Sequence, residues 1–128
     1  MKTIAVLGAS NQRRKYGNKC VRAYQHAGWK VYPVSLSGEE VEGLPSFRKL
    51  AEVSEELGDT KLDRISVYLP PPVSLELLPE MAHAEAGEVW FNPGAADQKV
   101  LAEAEELGIN AVPACSIVDI GLSPSQFP

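Results

Sequence analysis

Thr3-Ile4-Ala5-Val6-Leu7-Gly8-Ala9-Ser10 is a short, β-branched apolar run that breaks into a small-residue turn, and its reading decides the fold. A continuous apolar strand of this kind is one buried on both faces, as in a parallel sheet. The turn behind it, Gly8 to Gly17, leads into a helical pattern from about Asn18 to Ala27. A strand running through a glycine turn into a helix aims main-chain N–H groups at one spot. Residues 1–38 contain no Asp or Glu but hold Lys2, Arg13, Arg14, Lys15, Lys19, Arg22 and Lys30, a charge of +7, while the other ninety residues sum to −12. Five of the seven cations fall between residues 13 and 22. Cations at a helix start oppose the macrodipole and call for a compensating anion. One basic loop on an acidic chain points to a small polyanionic ligand rather than to nucleic acid, which needs a broad basic face.

Outward from that turn, strands are predicted at Thr3–Leu7, Lys30–Ser35, Arg64–Leu69, Glu88–Phe91 and Asn110–Pro113, and helices at Asn18–Ala27, Pro45–Leu57, Val73–Ala86 and Gln98–Leu107. Gly28, Gly58, Gly87 and Gly108 stand where helix C-termini favour positive φ. Strict alternation with right-handed crossovers gives an α/β, Rossmann-like doubly wound fold with a five-stranded parallel sheet and helices on both faces. The expected strand order is 3-2-1-4-5, which places the ligand crevice over the C-terminal ends of the first and fourth strands.

The chain has 128 residues, 45% of them hydrophobic, enough for one domain spanning 1–128 with about two thirds of its unfolded surface buried. No apolar run approaches a membrane span and no signal peptide precedes the first strand, so a cytoplasmic protein is expected. Cys20 and Cys115 lie far apart with no metal-ligand spacing, and are expected to be reduced thiols. His26 and His83 are isolated, and no metal site is expected.

Four loops converge on the crevice. Gly8, Ala9 and Gly17 permit approach to the main chain, Ser10 or Asn11 can cap or donate, and Arg13, Arg14 and Lys15 supply charge. The spacing from Gly8 to Tyr16-Gly17 is not the dinucleotide fingerprint. Tyr32-Pro33-Val34-Ser35 closes the second strand with no carboxylate before Glu39, which weakens NAD and favours a nucleotide with a phosphorylated ribose, CoA or NADP. Pro33 and Val34 offer an apolar wall for an adenine. Leu69, Pro70, Pro71 and Pro72 form a stiff ledge without N–H donors at the three prolines. Asn92, Pro93 and Gly94 repeat the small-residue turn before a helix that Asp97 can cap, Asn92 being able to hydrogen-bond a ligand. Trp90 and Phe91 read as core, and Cys20, His26 and His83 as structural. Cys115 sits at the same rim without a base nearby to generate thiolate, so whether it is reactive stays open.

As a set, Ile4–Ser10 with Lys15-Tyr16-Gly17, Gly28–Val34, Gly43-Leu44-Pro45-Ser46, Ser66–Pro72, Val89-Trp90 through Gly94 and the late Cys115 resemble the CoA-binding domain family. These are small stand-alone relatives of the N-terminal domain of the succinyl-CoA synthetase α subunit. The resemblance implies CoA or acyl-CoA as cofactor, with phosphates near the first loop and adenine near the end of the second strand. Two departures stand out: Tyr32-Pro33 replaces the usual Asn-Pro, and Asn92-Pro93 the usual Gln before the fourth-strand glycine. The synthetase domain that carries the phosphorylated histidine is not expected in this chain, so the expected function is CoA binding without catalysis, and no catalytic residue is assigned. An NADP-type redox protein or sensor, and a non-enzymatic partner module of an acyl-CoA-using enzyme, are the alternatives. The expected partners are the small-molecule nucleotide cofactor and either a second copy in a homodimer or an acyl-CoA enzyme, with neither nucleic acid nor membrane.

Overall fold

The computed structural model describes residues 1–128. Five parallel strands, β1 (Thr3–Leu7), β2 (Lys30–Val34), β3 (Arg64–Val67), β4 (Glu88–Phe91) and β5 (Ala111–Val112), alternate with α1 (Tyr16–His26), α2 (Leu50–Leu57), α3 (Pro71–Ala84) and α4 (Gln98–Glu106). A short helix α5 (Ser116–Asp119) and a 3-10 turn at Pro124–Gln126, neither of them predicted, follow β5. Every residue of β1 is buried, and its side chains alternate between two cores. Ile4 and Val6 pack with Val21 and Tyr24 of α1 and Ile117 of α5. Ala5 and Leu7 pack with Val53 of α2, Leu78 and Met81 of α3 and Val100 of α4. Helices therefore cover both faces, as the alternation predicts. No helix is long and apolar enough to cross a membrane.

The sheet order is β2-β1-β3-β4-β5, not 3-2-1-4-5. The reason lies in β2 itself. Pro33 has no N–H to give, and a proline within a strand belongs at a sheet edge. Here β2 is that edge, and Pro33 turns its carbonyl outward, where it accepts from Phe47 N–H at 2.9 Å. An interior β2 would lose a ladder bond at this residue. The chain reversal consequently falls between β1 and β3, and ligand crevices in doubly wound sheets open at that switch point.

The same edge pairing explains why α2 starts at Leu50 rather than Pro45. Phe47 bridges Val34 in parallel and accepts Ser35 N–H at 2.8 Å, which holds this segment against the sheet edge instead of in a helix. Glu52 then caps the helix, Oε1 accepting from the main-chain N–H of Arg48 and Lys49. Glycine ends α1, α2 and α4 as expected, but after α3 it is Glu85 that turns left-handed (φ 51°). Gly87 instead passes close to the Asp63 carbonyl, where a side chain would collide.

Candidate functional site

Over the C-terminal ends of β1 and β3 lies a cavity of about 850 Å³, within the range of small-molecule sites. Its position depends on three backbones in contact. Gly8 has φ 86°, and a Cβ on it would stand 2.3 Å from the Tyr68 carbonyl oxygen; a Cβ on Gly17 would stand 2.2 Å from the carbonyl oxygen of Gly8. Glycine at both places lets the end of β1 touch the end of β3 and the first turn of α1 at once.

Eleven of the residues singled out in the sequence line this cavity: Gly8, Ala9, Ser10, Arg14, Lys15, Tyr16 and Gly17 of the first loop, Leu69 and Pro70 after β3, and Pro93 and Gly94 after β4. Gly94 has φ 90° and only open space where a side chain would begin. Val34 lines an adjoining cavity of about 690 Å³ that shares Gly8, Ala9, Ser35, Ser37 and Leu69 with the first. Four named residues do not line either. Arg13 pairs with Glu42 at 3.6 Å. Pro33 is buried in the edge strand, and Pro71 is the first residue of α3.

Asn92 is the fourth, and its role differs from the one expected. Its side chain is buried, Nδ2 donating to Ser66 Oγ at 2.8 Å and to the Val67 carbonyl at 3.0 Å, while Oδ1 accepts Ser116 N–H at 2.9 Å. All this ties β4 to β3 and to α5, leaving Asn92 nothing to offer a ligand. The unpredicted α5 is what supplies the partner.

The N–H groups of Gly8 and Ala9 are also committed, both donating to Val34 O at 3.2 Å. Within the first loop the main-chain donors without a protein acceptor are those of Ser10, Asn11, Arg13, Arg14, Tyr16 and Gly17. Ser10 Oγ accepts from Gln12 N–H at 3.0 Å, which shapes the turn. Arg14 and Lys15 have no acidic partner. One carboxylate, Glu39, lines the cavity, where it accepts from Asn11 Nδ2 at 2.5 Å. Asn11, which the sequence offers beside Ser10 as a cap or donor, lines the cavity as well; sequence reasoning gave no ligand role to Gln12, Ser35, Ser37, Glu39, Tyr68 or Ala95, of which Ser35, in a crevice loop, and Tyr68, beside the proline ledge, carried a signal of position.

Behind the cavity wall, Cys20, Ser66 and Ser116 form a buried polar cluster, Ser66 Oγ and Ser116 Oγ 2.8 Å apart and the Cys20 thiol donating to Ser66 Oγ at 3.6 Å. The Tyr68 hydroxyl is buried without a hydrogen-bond partner, and burial drives its pKa strongly upward. Burial likewise pushes the Cys20 thiol up to about 11. The folded state thus holds this proton more tightly than the unfolded chain. That contribution is complete below the usual thiol range and is lost as pH climbs towards 11. Stability measured by urea is expected to fall by about 2–3 kcal/mol more in wild type than in Cys20→Ala between pH 8 and 11, each pKa unit being worth about 1.4 kcal/mol. Equal slopes would show that the thiol is not linked to folding. In the native state a disulfide reagent should label the half-buried Cys115 and spare Cys20.

No group of three or more His, Cys, Asp or Glu side chains is placed to hold a metal ion. What the first cavity holds is a set of N–H and cationic donors grouped beside glycine main chain, suited to a multiply charged anion of nucleotide size.

Residues 57 in number align at 42% identity with the α subunit of an ADP-forming acetate–CoA ligase of Pyrococcus furiosus, over 42% of this chain and 12% of that subunit, so the chain spans a small part of the length of that relative. Among solved structures, a conserved hypothetical protein of Pyrococcus furiosus superposes with a TM-score of 0.79 at 31% identity, over 93% of this chain and 99% of the other. A Thermus thermophilus protein does so with a TM-score of 0.76 at 30% identity, over 92% and 87%. The family model described as a CoA binding domain matches residues 2–121, nearly the whole length, and the chain belongs to that family.

Proposed function

We propose that the chain binds CoA or an acyl-CoA at the β1/β3 switch point and acts as a binding module without catalysis of its own, through one unit spanning residues 1–128. The observation that carries this reading is the meeting of unpaired Arg14 and Lys15 with the free N–H groups of Ser10, Asn11, Tyr16 and Gly17 in one cavity. A diphosphate presents acceptors in several directions, and charge-assisted bonds from guanidinium, ammonium and amide groups meet them. Gly94 leaves room for an extended arm to run past the β4 turn, and the Leu69-Pro70 ledge gives it an apolar floor. The residues present therefore fit the cofactor. Bound CoA supplies a thiol to carry acyl groups; the residues of this chain hold and orient it.

Membership of the family and the alignment with a ligase subunit support CoA over NADP. They also support docking on an acyl-CoA-using enzyme as the setting in which the module works; we place that setting in the cytoplasm. Calorimetric titration with CoA, acetyl-CoA and NADPH tests the assignment. One CoA species per chain is the expected result, with NADPH at least about tenfold weaker, the factor that about 1.4 kcal/mol produces. Heat-silent titrations with both CoA species, or tighter binding of NADPH, would overturn it.

A further inference from the structure

The second cavity carries a cation that the first does not explain. Arg48 precedes α2, yet its guanidinium reaches back to the end of β2, Nη1 donating to Leu36 O at 2.9 Å and Nη2 to Ser37 O at 3.2 Å. The edge bridge at Phe47 brings the two segments side by side. Gly38 completes the seat: it has φ 69°, and a Cβ there would lie 2.9 Å from Arg48 Nε and 3.1 Å from Cζ. A side chain at position 38 would push the guanidinium away. Of the five N–H donors of an arginine, two are spent on these carbonyls, and no carboxylate pairs with the group. Lys49 lines the same cavity. The acids there come from α3; Glu80 accepts Ala51 N–H at 2.9 Å, while Glu76 is uncommitted.

An exposed arginine held rigid by main-chain carbonyls, with donors to spare, is a preformed recognition fork for a phosphomonoester. It stands beside Ser35 and Ser37, which face both cavities, at the strand end where dinucleotide sites place a carboxylate for ribose hydroxyls. This chain has no carboxylate in β2 or at Ser35 to Ser37. We propose that Arg48 recognises the ribose 3′-phosphate of CoA and makes this chain selective for CoA over 3′-dephospho-CoA. The inference rests on the CoA-binding reading and goes further by naming the group that sets specificity.

Calorimetry with the full chain and these two ligands separates the claims. Wild type is expected to prefer CoA by about tenfold or more, the scale of one charge-assisted contact. Arg48→Met should reduce that preference to near unity while leaving the affinity for 3′-dephospho-CoA unchanged, which also reports that the loop is intact. Gly38→Val, which displaces the guanidinium without removing it, should lower the preference in the same direction. Equal binding of both ligands by wild type would overturn the role of Arg48 and leave CoA binding standing, as would an Arg48→Met variant that loses both ligands alike. Failure of wild type to take up either ligand would remove the underlying reading, and this proposal with it.

Discussion

Gly17→Ala is expected to destabilise the protein by about 2–4 kcal/mol, in the upper range for overpacking of a closed interior, and to disable the site at the same time. The added Cβ would lie 2.2 Å from Gly8 O, 3.0 Å from Gly8 C and 3.3 Å from Ala9 Cα, all main-chain atoms. No flexible side chain can yield to make room. Gly8 cannot retreat either, because its own Cβ position is 2.3 Å from Tyr68 O and its N–H is bonded to Val34 O. Strain at position 17 therefore passes into the ends of β1, β2 and β3 together. Gly43→Ala is the control: its φ is 79° but a Cβ there meets nothing within 4 Å, so the cost should be only the left-handed penalty of about 1–2 kcal/mol. Urea midpoints at constant slope measure both. A loss at Gly17 no larger than that at Gly43 would mean that the three-backbone contact does not govern the site.

How far such contacts could be foreseen from the residues differs from one part of the molecule to another. The alternation of elements was legible because β1 is apolar almost throughout and α1, α2 and α4 end in glycine, both local signals. Strand order is a long-range property, and the expectation of 3-2-1-4-5 overlooked the one residue that bears on it: Pro33 marks β2 as an edge. In the candidate site, the loops that meet were readable from glycine and proline punctuation, since those residues act through their own backbone. The partners of side chains were not. Asn92 looks like a ligand donor until α5, unseen in four residues of sequence, presents Ser116 N–H to it. Arg13 and Arg14 are indistinguishable as neighbours, yet Glu42, nearly thirty residues on, takes only the first. Arg48 belongs to the site only because Phe47 adds to the sheet edge, a single bridge with no periodicity to betray it.

The division between Arg13 and Arg14 leads to the largest expected effect on binding. Arg14→Ala combined with Lys15→Ala should weaken CoA binding by about 100-fold or more, two charge-assisted contacts of about 1.5–3 kcal/mol each being removed. Arg13→Ala should change it by less than about threefold, a few tenths of a kcal/mol, because that side chain is exposed and already paired with Glu42. The folded apo protein should not suffer from the double substitution. Arg14 and Lys15 are exposed, make no ion pair, and stand at the N-terminal end of α1, where positive charge opposes the helix dipole. Removing them is expected to leave apo stability unchanged or raise it by a few tenths of a kcal/mol, by the usual size of such terms. Loss of affinity without loss of stability is the pattern of residues kept for an anion, and the salt dependence of binding should flatten in the same variant, since fewer phosphate contacts are left to screen. If Arg13→Ala proved as damaging as the double substitution, the phosphates would lie on the Glu42 side of the loop, and the cavity between β1 and β3 would not be where the ligand sits.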